Sequence, residues 1–356
     1  MLERRHFSHD RFDGGRTPDT VAAQQAYDFA GIDPPRHGAF VVHDLAEDAG
    51  RVQSGHLAQV DRSLGLSRAN EHAAVACARA YREHLRECSK KSPLDLWYER
   101  LDMQTLIEKA PDVKGRKLRE ELAAKARQRI GEYLVPKLTT SVGGQRRLLD
   151  QPPVLFHFAE RDAEERFRKG LEDYRLSLPD DRRVLFDRYR LEDWAVKVVG
   201  IGSVGTRCMV GLFFSAEGHP LFLQFKEACP SVLAPYAGKS IYENQGQRVV
   251  VGQRLMQSSS DIFLGWTHGR LGFHFFGRQL RDMKFSVPLE GVSATQLNRY
   301  AEICGTVLAR AHAKSGPGAA KISGYLGKSD AFDTAIGAFS LAYADQTVRD
   351  HAALVA

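Results

Sequence analysis

Long apolar runs are missing from this chain. No segment approaches the roughly 18 consecutive apolar residues that cross a bilayer, and the N-terminal MLERRHFSHDRFDGG is charged with no apolar stretch behind it. Neither membrane insertion nor secretion is indicated, and the expected location is the cytoplasm. Cysteines are few and scattered: Cys77, Cys88, Cys208, Cys229 and Cys304 include no CxxC pair. That excludes a disulfide framework and the usual zinc spacing, and predicts buried small apolar residues. Charge of one sign is also scarce. The net charge is +6, and the basic residues alternate with acids, as in Lys114 to Arg129, where Glu120 and Glu121 break the run. Such a run reads as a solvated helix face, and no nucleic-acid partner is expected. There is no internal repeat, no low-complexity tract and no GxSxG elbow for a serine nucleophile.

What is present is a 356-residue chain, 43% hydrophobic, large enough to bury a sizeable core. Its most informative stretch is VVGIGSVGTRCMVGLFFSAEGHPLFLQFKEA, Val198 to Ala228, with Gly200, Gly202 and Gly205 set before two strand-like runs and Lys226 after them. A GxGxxG alone also suits a hairpin or a dinucleotide fold. In a dinucleotide fold a helix follows the third glycine. Here Cys208 to Phe214 is β-branched and aromatic, Ala216 to Pro220 punctuates a turn, and Leu221 to Phe225 supplies a partner strand ending at Lys226. The order strand, glycine loop, strand, turn, strand, lysine is that of a protein kinase, where loop amides cover the phosphates and the lysine neutralises them. The candidate nucleotide-binding residues are therefore Gly200, Gly202, Ser203, Gly205 and Lys226. The competing reading is a tight turn and a solvated lysine at a strand end.

The rest of the chain divides by texture. Residues 1–62 carry little periodicity. A helical half spans 63–190: an alanine-filled helix from Ser67 as N-cap to about Glu87, a short helix from Pro93, and a charged helix from Lys114 to Tyr133 with Leu118, Leu122, Ala126 and Ile130 on one face. Two strands flank Gly143-Gly144, Pro152-Pro153 precedes VLFHF, and helices follow at about Ala163 to Tyr174 and Arg182 to Tyr189. An antiparallel sheet half spans 191–290. After Lys226 it continues with a helix over Gly246 to Gln257, inward through Val249, Val250, Gln253 and Met256, which Gly252 weakens by about 1 kcal/mol relative to alanine. IFLGW and FHFFGRQL then form a second hairpin, with Phe273, Phe275 and Phe276 as core strand. Five strands and one helix are the make-up of a kinase small lobe, whose adenine edge falls near Arg278 to Leu280, adding Gln279 to the candidates. Residues 291–356 supply two helices, from Ser293 to Lys314 (Leu297, Ala301, Cys304, Val307, Leu308 and Ala311 inward) and from Asp330 to Ala353 (Phe332, Ile336, Phe339 and Tyr343 inward). The fold class is α+β.

VVGIGSVGTRC, LFLQFKEA, GQRVVVGQRLMQSSSDIFLGW, RQLRDMK, YAEICGTVLARAHAKSG, ISGYLGKSDAFD and AYADQ closely resemble an uncharacterised bacterial family catalogued as domain of unknown function 2252. The resemblance runs from about Ser92 to the end and is most specific from Asp193. The family's biochemical role is not established. Its full-length members carry upstream segments similar to the catalytic loop, metal-binding acid and following helix of aminoglycoside-type phosphotransferases. The resemblance thus implies a kinase-like, two-lobed architecture with the lobes in reversed chain order, a fold-level analogy. This chain departs from the pattern at the decisive place. Gln53-Ser54-Gly55-His56-Leu57 looks like a remnant of the catalytic loop without its aspartate, and the metal-binding acids have no counterpart.

Phosphoryl transfer depends on positioning, Mg²⁺ and a base that orients the nucleophile, and a tenfold loss of rate corresponds to about 1.4 kcal/mol; little turnover is expected, and no catalytic or metal residue is assigned. Asp44, Glu47 and Asp48 near the remnant, and Asp330 with Asp333, are the carboxylates that could substitute as Mg²⁺ ligands; acids opening the last helix explain the second pair better. His312 resembles the end of the helix before a kinase catalytic loop, but as a lone helical histidine it reads as packing. The acidic partner of Lys226 is unassigned, with Glu243 a guess. Three readings stay open: a nucleotide-binding protein with ATP and Mg²⁺ as ligands but an incomplete phosphotransferase centre, an active ATP-dependent phosphotransferase, and a structural or interaction module without nucleotide.

Overall fold

The computed structural model describes residues 64–99, 116–117, 120–121, 123–124, 131–157, 162–198, 206–257, 259–269, 272–280 and 292–355. The expectations for residues 1–62, and for the inward stripe Leu118, Leu122, Ala126 and Ile130, lie outside these residues. The architecture is mixed helix and antiparallel sheet.

Helix α1 (Leu64–Cys88) begins four residues before the start at Arg68 that a cap at Ser67 would set, because Leu64 and Leu66 favour helix and outweigh Gly65. Helix α2 (Pro93–Tyr98) starts as expected, with Ser92 accepting from the Asp95 amide. Near the C-terminus, α8 (Ala294–Ser315) is opened by a capping box of Ser293 and Gln296. It is followed by α9 (Ala319–Leu326) and α10 (Ala331–Val355). Helix α9 is not among the expected elements, since glycines at 318, 324 and 327 make its sequence look like a loop; its buried Ile322 and Leu326 hold it.

Small residues explain how these helices meet. Ala73 and Cys77 of α1 form one cluster with Ala301 and Cys304 of α8. A Cβ added at Gly305 would stand 2.1 Å from the Cys77 carbonyl oxygen, so the alanine-filled faces permit an approach no larger residue could share. Leu85, Cys88, Leu96, Leu308, Ile322 and Leu326 continue the core. Helix α10 meets α1 through Asp333 and Gly337, where a Cβ would meet Val75 at 2.6 Å. Asp333 and Gly337 thus form the most buried line of α10; Phe332, Ile336 and Phe339 of the expected stripe are half-buried beside it, Phe332 packing on the core, and Tyr343 is exposed. Val307 of α8 is likewise 38% exposed.

A buried ion pair ties α1 to α10. Both carboxylate oxygens of Asp333 accept from Arg82, from Nε at 2.9 Å and from Nη2 at 2.6 Å, and both residues are buried. Arg82 Nη1 also donates to the Lys328 carbonyl, and Arg86 to the Gly327 carbonyl. Asp330 and Asp333 therefore do not form a metal pair: Asp333 is spent on a guanidinium, and Asp330 is exposed.

The sheet has six strands, β3 (Leu155–Phe156), β4 (Tyr189–Lys197), β5 (Cys208–Ser215), β6 (Pro220–Glu227), β7 (Gly265–His268) and β8 (His274–Gln279), in the order β3-β4-β5-β6-β8-β7 with every neighbour antiparallel. A separate hairpin of β1 (Thr139–Val142) and β2 (Gln145–Leu148) turns on Gly143 and Gly144, both at positive φ, as a two-residue primed turn requires. The central strands β5 and β6 are buried on both faces. One face packs Phe213, Leu223 and Phe225 against Phe167 and Tyr174 of α4 (Ala163–Ser177), Leu178 at its C-cap, and Phe186 of α5 (Asp180–Phe186). The other packs Ala195, Val210, Leu212 and Phe222 against Leu134 of α3 (Gly131–Leu138) and against Leu148 and Leu155. Double-sided burial is why these strands read as continuous apolar runs instead of alternating ones.

After β6 come a short helix α6 (Ala234–Ala237) and then α7 (Gln245–Met256), capped by Asn244, which accepts from the Gln247 amide. Val250 of α7 packs with Ala228, Leu264 and Phe276. A Cβ at Gly246 would lie 2.1 Å from the Phe275 carbonyl oxygen, so α7 is pressed onto β8. Its far end meets α8, where Lys314 Nζ donates to the Gln257 carbonyl at 3.0 Å.

Removing one partner of a buried ion pair leaves the other charge stranded, at a cost of about 3–5 kcal/mol. Arg82→Ala is expected to lower unfolding stability by that amount in urea titrations, whereas the paired change Arg82→Met with Asp333→Leu recovers most of it. Equal losses in the single and double variants would show that the pair itself is not what matters.

Candidate functional site

Two polar regions lie on the sheet. The first surrounds Lys226. Strands β4 and β5 are antiparallel neighbours, so the glycine-bearing segment connects adjacent ends of paired strands; Gly200, Gly202, Ser203 and Gly205 themselves lie outside the described residues. Lys226 stands in register with Cys208, the first residue of β5, and with Phe276 of β8. It is thus one strand away from the point where that segment rejoins the sheet.

Strand alternation places Lys226 on one face with Cys208, Gln224 and Arg278, since Gln224 pairs with both Val210 and Arg278. Lys197, two residues beyond Ala195, falls on the same face. The electrostatics agree with this placement. Burial pushes the Cys208 thiol up, while Lys226, a hydrogen bond from Gln224 Nε2 at 3.3 Å, Lys197 and Arg278 each act in the opposite direction. Three cations therefore bear on one thiol. Arg278 is itself held below its ordinary value, first by burial, with Asp261 opposing. Its Nε has no hydrogen-bond partner among the described residues. Cations thus gather on this face, and Arg278 is partly desolvated there.

Helix α7 borders this face through Val250 against Phe276. No Asp or Glu occurs between Gln245 and Met256, and Glu243 is exposed, just ahead of the cap. Gln253, facing inward as expected, is 2% exposed with Nε2 unpartnered among the described residues. Gln279 is not brought to Lys226. It pairs with Leu223 on the opposite face, and its backbone amide and Nε2 both donate to the Asp261 carboxylate, at 2.6 and 3.1 Å. His312 is packed rather than placed for chemistry. Its Nδ1 lies 2.8 Å from the Tyr81 hydroxyl, and burial lowers it to about 4.

The second region is not foreshadowed by any motif. A cavity of about 600 Å³ opens between the β1–β2 hairpin, β4 and α4, lined by Arg147, Asp150, His157, Glu164, Arg168 and Asp193 among others. A bulge between Leu191 and Asp193 interrupts the β4–β5 ladder. Asp193 is buried there and accepts from the Leu148 amide at 2.7 Å. His157 lies between two carboxylates, Nδ1 at 2.9 Å from Asp150 and Nε2 at 3.0 Å from Asp193, and Arg147 comes within 3.8 Å of Asp193. Burial alone would lower the imidazole; the hydrogen bonds to Asp193 and Asp150 outweigh it and raise it above the usual value. The one sequence signal for this cluster is an acid, Asp193, in a strand whose neighbours are apolar.

A raised histidine stabilises the fold in its charged form. That contribution is complete below the unfolded value of about 6.5 and is lost as pH rises through the higher folded value. Denaturant titrations from about pH 6 to about pH 8.5 should show wild type losing stability relative to His157→Gln as pH increases. A difference independent of pH would mean that the imidazole is neutral between its two acids.

No curated protein and no solved structure matches the chain. Residues 53–356 match the family described as an uncharacterized protein conserved in bacteria (DUF2252), a span that takes in both the Lys226 face and the His157 cluster. The chain, matched over most of its length, belongs to that family.

Proposed function

We propose that this chain is a kinase-like nucleotide-binding protein, with its lobes in reversed order and its phosphotransferase centre incomplete. One observation carries the reading: Lys226 on the third of three consecutive antiparallel strands, in register with the first residue of the strand that follows the glycine segment, on a face that also bears Lys197 and Arg278. The glycine segment joins the first and second of those strands and a lysine follows on the third, which is the order of a kinase small lobe. Strands β4, β5, β6, β8 and β7 with helix α7 supply the five strands and one helix of a kinase small lobe.

The ligand class is an adenine nucleotide, ATP above all. The described residues that cluster about Lys226 on this face, Lys197, Cys208, Gln224 and Arg278, offer cations and an amide donor. They fit the phosphates and not Mg²⁺, and so support binding without a transfer step. Helix α7 lacks the acid with which a kinase orients its lysine, consistent with binding in place of catalysis. The adenine edge is the end of β8, where the Leu280 amide continues the ladder by donating to Phe222, with the Gln279 side chain turned away.

Calorimetric titration with ATP tests the proposal. Wild type is expected to bind, and Lys226→Ala to bind at least about tenfold more weakly, equivalent to about 1.4 kcal/mol. Phosphate release with Mg²⁺ should stay at the buffer rate. No heat at millimolar ATP, or equal affinity in the variant, overturns the reading and leaves a hairpin with a solvated lysine; sustained phosphate release would instead reveal an active phosphotransferase.

A further inference from the structure

At the junction of α1 and α2, far in sequence from Lys226, a ring nitrogen of His84, the sulfur of Cys88 and a carboxylate oxygen of Glu99 lie within 4.8 Å of one another. We infer that these three side chains form a Zn²⁺ site with one coordination position left for water. His84 and Cys88 are four residues apart in α1, so they project from one helical face. Glu99 ends α2, and its backbone is fixed on both sides: its amide donates to the Asp95 carbonyl at 2.9 Å, and its carbonyl accepts from Arg310 Nε at 2.8 Å. Spacing alone conceals the set, because the third donor comes from another helix and no CxxC is involved.

The donor chemistry selects the metal. One thiolate, one imidazole and one carboxylate suit Zn²⁺, whereas Mg²⁺ and Ca²⁺ prefer all-oxygen shells. With Cys88 deprotonated and Glu99 ionised, two negative charges balance the dication. The surroundings supply the outer support that zinc sites use. Glu87 Oε2 lies 3.2 Å from His84 Nδ1; with Nδ1–H given to that carboxylate, Nε2 is the nitrogen open to a metal. Cys88 is buried, which shields a thiolate–metal bond, while half-buried His84 and Glu99 keep a path to solvent. In the metal-free chain Lys91 Nζ holds Glu99 at 2.8 Å. Zn²⁺ has to displace that ammonium, and Cys88 has to release its proton, one per metal bound.

The test is titration of the chelator-stripped full chain with Zn²⁺ by calorimetry, repeated with Co²⁺ as an optical probe. One equivalent should bind, with proton uptake by the buffer and a thiolate-to-cobalt absorption band. Cys88→Ser should abolish the band, Glu87→Gln should weaken binding about 10–100-fold, and Lys91→Ala should tighten it by removing the competing cation. Lys91 is exposed, so the last variant does not depend on preserving the core. Absence of the band in wild type, its survival in Cys88→Ser, or Zn²⁺ affinity unchanged by Lys91→Ala would each overturn the assignment.

Discussion

The helical part of this molecule depends on one pairing, the Arg82 guanidinium against the Asp333 carboxylate. Neither group has access to enough water to be solvated alone, so each needs the other. The pair is bidentate and directional, and it fixes the rotation of α10 about its axis as well as its distance from α1. That rotation puts Asp333 and Gly337 on the most buried line of α10, with Phe332, Ile336 and Phe339 of the expected stripe half-buried beside it and Tyr343 exposed. Because Arg82 and Arg86 also hold the carbonyls of Lys328 and Gly327, the corner between α9 and α10 is organised by the same turns of α1. Hydrophobic contacts supply most of the burial; the ion pair selects among the ways the helices could be rotated.

The sheet uses a different principle. Its middle is mostly apolar on both faces, with Gln224 of β6 a buried polar exception. At β4 a bulge admits Asp193, which is then satisfied by a backbone amide, an imidazole and a nearby guanidinium. At the other end of the same face Lys197, Lys226 and Arg278 bear together on the Cys208 thiol. The first region is a network closed around one imidazole, and the second gathers three cations around one thiol.

Sequence patterning conveys much of this. The strands around Lys226, the helix over Gly246 to Gln257 and the Ser293 cap follow from β-branched runs, turn residues and local capping chemistry, and they form where expected; the second hairpin forms too, but its strands are Gly265–His268 and His274–Gln279, leaving Ile262 to Leu264 and Phe273 outside it. What sequence does not convey is pairing across long separations. Nothing near Asp333 announces Arg82, and nothing near Cys88 announces Glu99. Gln279 illustrates the same limit: its place at the end of β8 is readable, but which face it occupies depends on register with Leu223. Helix α9 is hidden because three glycines mask a segment held mainly by tertiary burial.

Helix α7 is gripped at both ends. Its first turn is held by the Gln245 amide on His274 Nδ1 and by contact with the Phe275 carbonyl, and its last by the Lys314 ammonium on Gln257. A segment anchored in this manner behaves as a strut: it transmits compression between the bodies it joins and resists swinging free of either. Strand β8, beside Lys226, and helix α8 are accordingly tied to one and the same rod.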